Sequence, residues 1–464
     1  MTEVPRSSYR PDSPRISTKG VWLACFAAAC VLYLATCQRG AGWQDTGMLQ
    51  WRAWTGDYRG RLGLALAHPL YIAAARLAGW LGGRHFAFAM NFFSGLGTAV
   101  ALANLACVTA ILTGKRWAGL AAAAMLSVAH TVWWLSTIVE AGYTWSIAGL
   151  TAELWLLVAL LRRPRWQTLT ALALVNGLGL CVHNFALLPL PVYVIVAVVL
   201  AARRAVPRWS LATAAAAYIL GAGIYIGMIV DQAAATGDIA GAAGSALFGE
   251  KNRYASQALS TTSNWRFLRY NAAIGALNFV SLVLPLAVVG WVHLRRRLGG
   301  GLAAAIGAVT AVEAIFVVRY PVPDQFMFLL PTLVMIALSA GIGAAVLADR
   351  SRRWCIAAAA ACVLSVALPP AVYAVAPATA RALGFRAADR HPGRDELRYW
   401  LVPWKHNEDS AERFAAAALN GAPPNGTVRA GSTAVHALKI VQKRDALRPD
   451  VTVRLADNAS PESR

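Results

Sequence analysis

Hydrophobic residues in this chain are gathered into long runs, and polar residues are confined to the breaks between them. Eleven runs are long enough, or nearly so, to cross a bilayer core, which takes roughly 20 helical residues. They lie near 21–37, 86–112, 117–139, 141–161, 166–182, 185–202, 209–230, 271–293, 301–318, 325–348 and 354–378, and the only charged side chains inside them are Glu153 and Glu313. Residues 38–85 break the rhythm. Their stretch Leu62 to Gly83 is apolar enough to tempt a twelfth crossing, and we read it instead as part of one outer loop with one or two amphipathic helices in the membrane interface. Residues 231–270, rich in Gly, Ala, Ser and Thr, are expected to form a mobile loop over a site. Beyond 378 the long runs stop; 407–420 has helical amphipathic spacing and 425–454 alternates enough for short strands. The fold class is therefore an all-α integral membrane protein with about 11 transmembrane helices, divided into a cytoplasmic segment 1–20, a membrane domain 21–378 and a small extracytoplasmic α+β domain 379–464.

Charge sets the orientation. Lys and Arg near the ends of spans are retained on the cytoplasmic side. Arg6, Arg10, Arg15 and Lys19 precede the first run, and clusters at 115–116, 162–165, 203–208, 295–297 and 350–353 follow every second run, 18 cations in all. This places the N-terminus inside and residues 379–464 outside. A twelfth crossing at Leu62 to Gly83 would turn every later cluster outward. The net charge of +21 is mostly this topology signal, so nucleic acid is not an expected partner. The basic start and the run ending LATC at Cys37 faintly resemble a lipoprotein signal, but Thr36 suits that poorly and we expect an uncleaved anchor. Seven cysteines, all in or beside apolar runs, argue against a disulfide scaffold or a zinc module.

The topology gathers certain polar residues on the outer face: Asp45 after the first run, Glu140 and Tyr143 in the third-to-fourth turn, His183 and Asn184 in the fifth-to-sixth, Arg319 and Asp324 in the ninth-to-tenth. Turns need polar residues, and that explains any one of them. It explains less well a carboxylate, a His-Asn pair and an arginine together in turns otherwise nearly free of charge, which suggest a cavity that does chemistry.

At these positions the sequence resembles a known family. GWQDTGMLQ followed by ALAHPLYIAAARL is similar to the Asp-Ser-Gly-Glu and His-Pro-Pro-Gly-x-Pro-Leu-Tyr signatures of a family long catalogued as of unknown function, now grouped with the GT-C membrane glycosyltransferases and linked to protein O-mannosylation. AMNFFSGLGTAVAL, which contains Asn91, WWLSTIVEAGY, GLGLCVHNFALLPLP, VRYPVPDQFMFLLP and RDELRYWLVPWKHNEDSAERFA continue the likeness in order. The chain departs from it with Thr46 and Met48 where Ser and Glu are preferred, one proline at Pro69 where two are usual, and Glu-Ala-Gly-Tyr for Glu-Val-Tyr. The resemblance implies a GT-C-like helix bundle and a hexosyltransferase, mannosyltransferase-like, that uses a lipid-phosphate sugar.

The residues support that chemistry independently. Moving a glycosyl group from a lipid phosphate to a hydroxyl needs a carboxylate to take or orient the proton and a cation to hold the departing phosphate. Asp45 is the expected catalytic carboxylate and Arg319 the expected cation, with Arg52 and Arg61 weaker alternatives that can equally meet lipid headgroups. His68, Tyr71, Asn91, Glu140, Tyr143, His183, Asn184, Glu313 and Asp324 are the other expected donor- or substrate-binding residues. Glu313, six residues before Arg319, lies in the outer half of its span and can line the cavity; Glu153, nearer mid-membrane, is expected to pair with a polar group of a neighbouring span. No Gly-rich turn after a strand and no Asp-x-Asp pair is present, which disfavours a soluble-type nucleotide-sugar transferase. The expected partners are membrane lipids, a polyprenyl-phosphate sugar donor and a protein, glycan or lipid acceptor, with no tightly bound cofactor or metal. The expected location is a bacterial inner membrane with the active site facing out. A transporter or lipid flippase, or a non-catalytic assembly factor, are the alternatives.

Overall fold

The computed structural model describes residues 17–261, 265–322, 324–388 and 390–456; the cations expected at Arg6, Arg10 and Arg15 fall outside them. In order, the helices are α1 (Lys19–Thr36), α2 (Gln44–Thr55), α3 (Pro69–Leu81), α4 (Phe86–Thr113), α5 (Arg116–Ser127), α6 (His130–Leu135), α7 (Tyr143–Arg162), α8 (Trp166–Val182), α9 (Leu190–Ala202), α10 (Ser210–Gly221), α11 (Gly223–Thr236), α12 (Ile239–Phe248), α13 (Ala255–Ala258), α14 (Trp265–Asn278), α15 (Val283–Leu298), α16 (Gly300–Arg319), α17 (Leu330–Ala348) and α18 (Arg352–Ala382). The C-terminal part adds α19 (Glu396–Leu401), α20 (Ser410–Asn420), β1 (Thr427–Ala430), α21 (Val435–Arg444) and β2 (Thr452–Leu455).

Among the described residues, eight helical stretches are long and apolar enough to cross a bilayer, or ten when the bent pairs α10–α11 (68°) and α14–α15 (96°) each count as one. Nine of the eleven predicted runs are found this way. The other two are α8, which is 17 residues long, and the third run, which breaks between α5 and α6 at Val128 and Ala129. Backbone groups freed by such a break need partners in an apolar setting. The Asn278 side chain accepts from the Thr131 N–H at 2.8 Å, and the Tyr373 hydroxyl donates to the Val128 carbonyl at 3.2 Å. The stretch Leu64–Leu81 is the eighth by composition. Its α-helix is only 13 residues, or about 20 Å at 1.5 Å per residue, short of a ~30 Å core.

The bundle is built around α4, which packs against α1, α3, α5 and α7, while α15 lies along α17 and α8 along α10. Close packing of α15 on α17 rests on Gly290 and Gly343, where an added Cβ would meet the facing backbone carbonyls of Ser339 and Leu286. At one end of the bundle the basic turns meet: Lys115 and Arg297 both pair with Asp349, and Arg162 donates to the Ile111 carbonyl. The other end carries α2, α3, α12 and the C-terminal part. That arrangement agrees with the alternation of cation clusters along the chain.

The C-terminal part is a small α+β unit in which β1 and β2 pair in parallel, with α21 as the crossover between them. It sits on the bundle. Trp43 and Ala41 from the loop after α1 join Ala411, Ala415, Leu419, Leu438 and Val441 in one apolar cluster. The Trp43 indole donates to Ser410 at 2.8 Å, the Lys405 N–H to the Thr36 carbonyl at 2.7 Å, and the Trp134 indole to the Tyr399 carbonyl at 3.0 Å. The segment 231–270, expected to be a mobile loop, instead carries α12 and docks on the first outer loop: the Glu250 N–H donates to the Leu62 carbonyl at 2.9 Å, and the Leu64 N–H to Ser245 at 3.0 Å.

Candidate active site

Asp45 lies in the first turn of α2, where an acidic side chain meets the positive end of the helix dipole. It is exposed on one side and crowded by protein on the others. That loss of bulk water raises its pKa, and the nearby Asp324 carboxylate raises it further. Glu140 is the third member of the group. Burial, then the charges of Asp45 and Asp324, push its pKa well above the usual carboxylate range, opposed by a hydrogen bond from the Thr46 hydroxyl at 3.5 Å. Asp324, half-buried before α17, is also raised by desolvation. Three carboxylates from three separate turns thus share one electrostatic site.

The Glu140 turn has the backbone to reach it. Ala141 and Gly142 both take positive φ, +33° and +75°. A Cβ on Gly142 would also press on the Tyr71 ring and the Val182 carbonyl, each 3.2 Å away, so this turn requires glycine there. His68 is likewise left-handed, at φ 50°, a strained choice for a side-chain-bearing residue. It is held by its Nδ1, 2.9 Å from the Val182 carbonyl, and by stacking on His183 at 5.0 Å. Pro69 follows at the first position of α3, where a fixed φ and a missing N–H cost nothing.

Aromatic rings form the wall beside the carboxylates. Tyr143 packs on His183 at 5.0 Å and on Phe328 at 5.7 Å, and Phe328 touches Tyr320 at 4.8 Å. Tyr71 reaches Ser94 at 3.4 Å. His183 also lines a cavity of about 20 Å³, room for about one water, with Glu153 and Glu313 on its walls. Glu153 has the expected neighbours: Asn176 donates at 3.1 Å and the Tyr193 hydroxyl at 3.0 Å. One buried oxygen of Glu313 has no hydrogen-bond partner.

Asp45, Glu140, Asp324, Tyr143, His183, His68 and Tyr71 are therefore brought together, with Glu313 in the adjoining cavity. Other expected ligands are engaged elsewhere. Asn91 uses its full capacity on protein groups: it donates to the carbonyls of Gln38 and Gly40 at 3.0 Å each, and accepts from Gln50 and from the Val139 N–H at 3.2 Å each. It ties the loop after α1 to the Glu140 turn. Asn184 donates to the Ala246 carbonyl at 2.9 Å and so holds α12. Arg319 donates through Nε and Nη2 to the Ser260 carbonyl, which places it at the rim, one residue before Tyr320. Arg52 is buried and donates to the carbonyls of Asp57, Tyr58, Leu66 and Ala67. It braces its own loop, which commits its donors to backbone carbonyls; Arg61 is exposed. Two residues escaped the sequence reading. Gln50, fully buried, accepts from the Gly42 N–H at 3.2 Å and fixes the turn that presents Asp45; it ends the GWQDTGMLQ motif. Lys405, also buried, lies in the tail motif.

Residues 64–206 match the family model described as "Protein O-mannosyl-transferase TMEM260 N-terminal domain". No curated protein matches the chain by sequence. Among solved structures, the chain is similar to ArnT from Cupriavidus metallidurans, crystallised bound to undecaprenyl phosphate, at TM-score 0.56 and 12% identity over 95% of this chain and 86% of that one. The arabinosyltransferase EmbB from Mycobacterium smegmatis aligns at TM-score 0.46 and 14% identity over 74% of this chain and 32% of that one. The likeness to ArnT shows the fold, a GT-C-like bundle of membrane helices, and the family model matches the part of the chain from 64 to 206.

Proposed function

We propose that the chain transfers a glycosyl group from a polyprenyl-phosphate-linked sugar to an acceptor hydroxyl on the extracytoplasmic face of a bacterial inner membrane. The observation that carries this reading is the open carboxylate of Asp45 backed by Glu140 and Asp324 at the end of the bundle opposite the basic turns. The acceptor hydroxyl gives its proton to Asp45 as its oxygen forms the new bond to the anomeric carbon. The bond from that carbon to the phosphate breaks, and its electron pair leaves on the lipid phosphate. A raised pKa makes Asp45 a stronger base than an ordinary carboxylate. Arg319 is the cation for the departing phosphate. No resident metal or cofactor has a part in this scheme. The likeness to ArnT, a structure holding undecaprenyl phosphate, supports a polyprenyl donor, and the family match makes mannose the first sugar to test.

The test is purified protein given labelled polyprenyl-phosphate sugars and a membrane extract. Asp45→Asn is expected to lower the rate about 10²–10⁴-fold, and Arg319→Ala to weaken donor binding as well as turnover. Transfer at the parent rate by a correctly folded Asp45→Asn protein would remove Asp45 from this role.

A further inference from the structure

A second cavity, of about 250 Å³, lies in the C-terminal part. Its lining mixes hydrogen-bond donors and acceptors, Arg398, Asn407, Arg413, Glu408 and Asp409, with the ring of Trp404. The carboxylates are already committed in part. Asp409 pairs with Arg413 at 2.8 Å, and Glu408 accepts from the Ser410 amide at 3.2 Å and from its hydroxyl. Each carboxylate still has free lone pairs, because an ionised carboxylate offers about four acceptor sites. Asp409 and Arg413 keep more than half of their side-chain surface exposed, so the cavity opens outward. Its floor is firm. Lys405, 2% exposed, donates to the carbonyls of Tyr399 and Val402 and stands over the Tyr399 ring at 4.8 Å, while Trp404 packs on Trp133 at 5.3 Å.

We infer that this cavity binds a neutral, hydroxyl-rich ligand, a carbohydrate portion of the acceptor. A hydroxyl both donates and accepts, so it matches a lining that holds carboxylate, amide and guanidinium groups together. The Trp404 ring supplies an apolar face against which the C–H side of a sugar ring can lie. The lining balances three carboxylates, Asp395, Glu408 and Asp409, against three cations, Arg398, Arg413 and Lys405, which favours a neutral ligand over an ion of either sign, and an apolar ligand would strand the polar wall. The place suits an acceptor. The Pro403 carbonyl, two residues before Lys405, accepts from the Thr137 hydroxyl at 2.9 Å, and Thr137 is three residues from Glu140, at most about 11 Å along the chain. The inference rests on the transferase reading for its purpose, but binding is measured without transfer.

Full-length protein in detergent would be titrated with neutral manno-oligosaccharides and read by saturation-transfer NMR and by calorimetry. Binding is expected for the parent and for Asp45→Asn, with at least a tenfold loss of affinity in Asn407→Ala and in Arg398→Ala, both exposed positions whose variants should melt as the parent does. No binding by the parent at millimolar sugar would overturn the inference. So would binding lost in Asp45→Asn but kept in Asn407→Ala, which would place the sugar in the active site, and so would binding of inorganic phosphate in preference to the neutral sugars. A failed transfer assay alongside intact, Asn407-dependent sugar binding would count against the transferase reading alone.

Discussion

Replacing Asn91 by Ala separates a positioning role from a ligand role. The amide makes four hydrogen bonds to buried protein groups, two of them donated to the carbonyls of Gln38 and Gly40 and one accepted from the Val139 N–H beside Glu140. Gly40 keeps a longer bond from Gln50 at 3.4 Å, so the groups that lose the support of Asn91 most completely are the Gln38 carbonyl and the Val139 N–H. Each buried group left without a partner costs about 1–3 kcal/mol, giving about 2–6 kcal/mol for the pair, toward the low end where a water fills the vacated space. The strain falls on the turn that presents Glu140. Tryptophan-fluorescence melting in detergent should show a clear drop in stability, and transfer should lose turnover with little change in the KM for the lipid donor. A parent-like melt combined with a raised donor KM would refute the reasoning and return Asn91 to substrate contact.

Two further outcomes follow from the same geometry. Because the charge of Asp324 raises the pKa of Asp45, Asp324→Asn should lower it, leaving the base ionised at lower pH, so the acidic limb of the kcat/KM profile should move toward acid; a shift toward alkali would contradict the coupling. Arg52→Met removes charged hydrogen bonds to four loop carbonyls, each worth about 1.5–3 kcal/mol, and is expected to lower the melting temperature equally in vesicles with and without anionic lipid; a loss confined to anionic vesicles would instead make Arg52 a headgroup ligand.

Why some of this was legible in the sequence and some was not has a physical basis. Asp45, Glu140, His183 and Asp324 stand out because a polar group in a turn is conspicuous between apolar runs, and alternating cation clusters say which turns share a face. The break in the third run was hidden. It contains neither proline nor glycine at Val128 and Ala129, and its compensating partners, Asn278 and Tyr373, are 147 and 245 residues away in the chain. Arg52 and Arg319 were misread or only partly read for a similar reason. A guanidinium shows its charge in the sequence, but not the carbonyls of a folded loop that will take up its donors. Asn91 stands in a motif, but the four protein groups that take up its amide are brought to it by packing.

Three carboxylates within one site would repel one another if all were ionised, and the structure resolves this by unequal exposure. Burial and the charges of Asp45 and Asp324 push the pKa of Glu140 well above the usual carboxylate range, whereas Asp45 has an open side from which water and an acceptor can approach. The Asp324 charge, which raises Glu140, also raises Asp45 and strengthens it as a base. In the proposed transfer these charges disfavour an anion close to Asp45, which assigns the phosphate of a lipid donor to Arg319 and not to the carboxylates. A proton acceptor at Asp45 and a phosphate at Arg319 would suit a single in-line displacement, in which the attacking and leaving oxygens occupy opposite sides of the anomeric carbon.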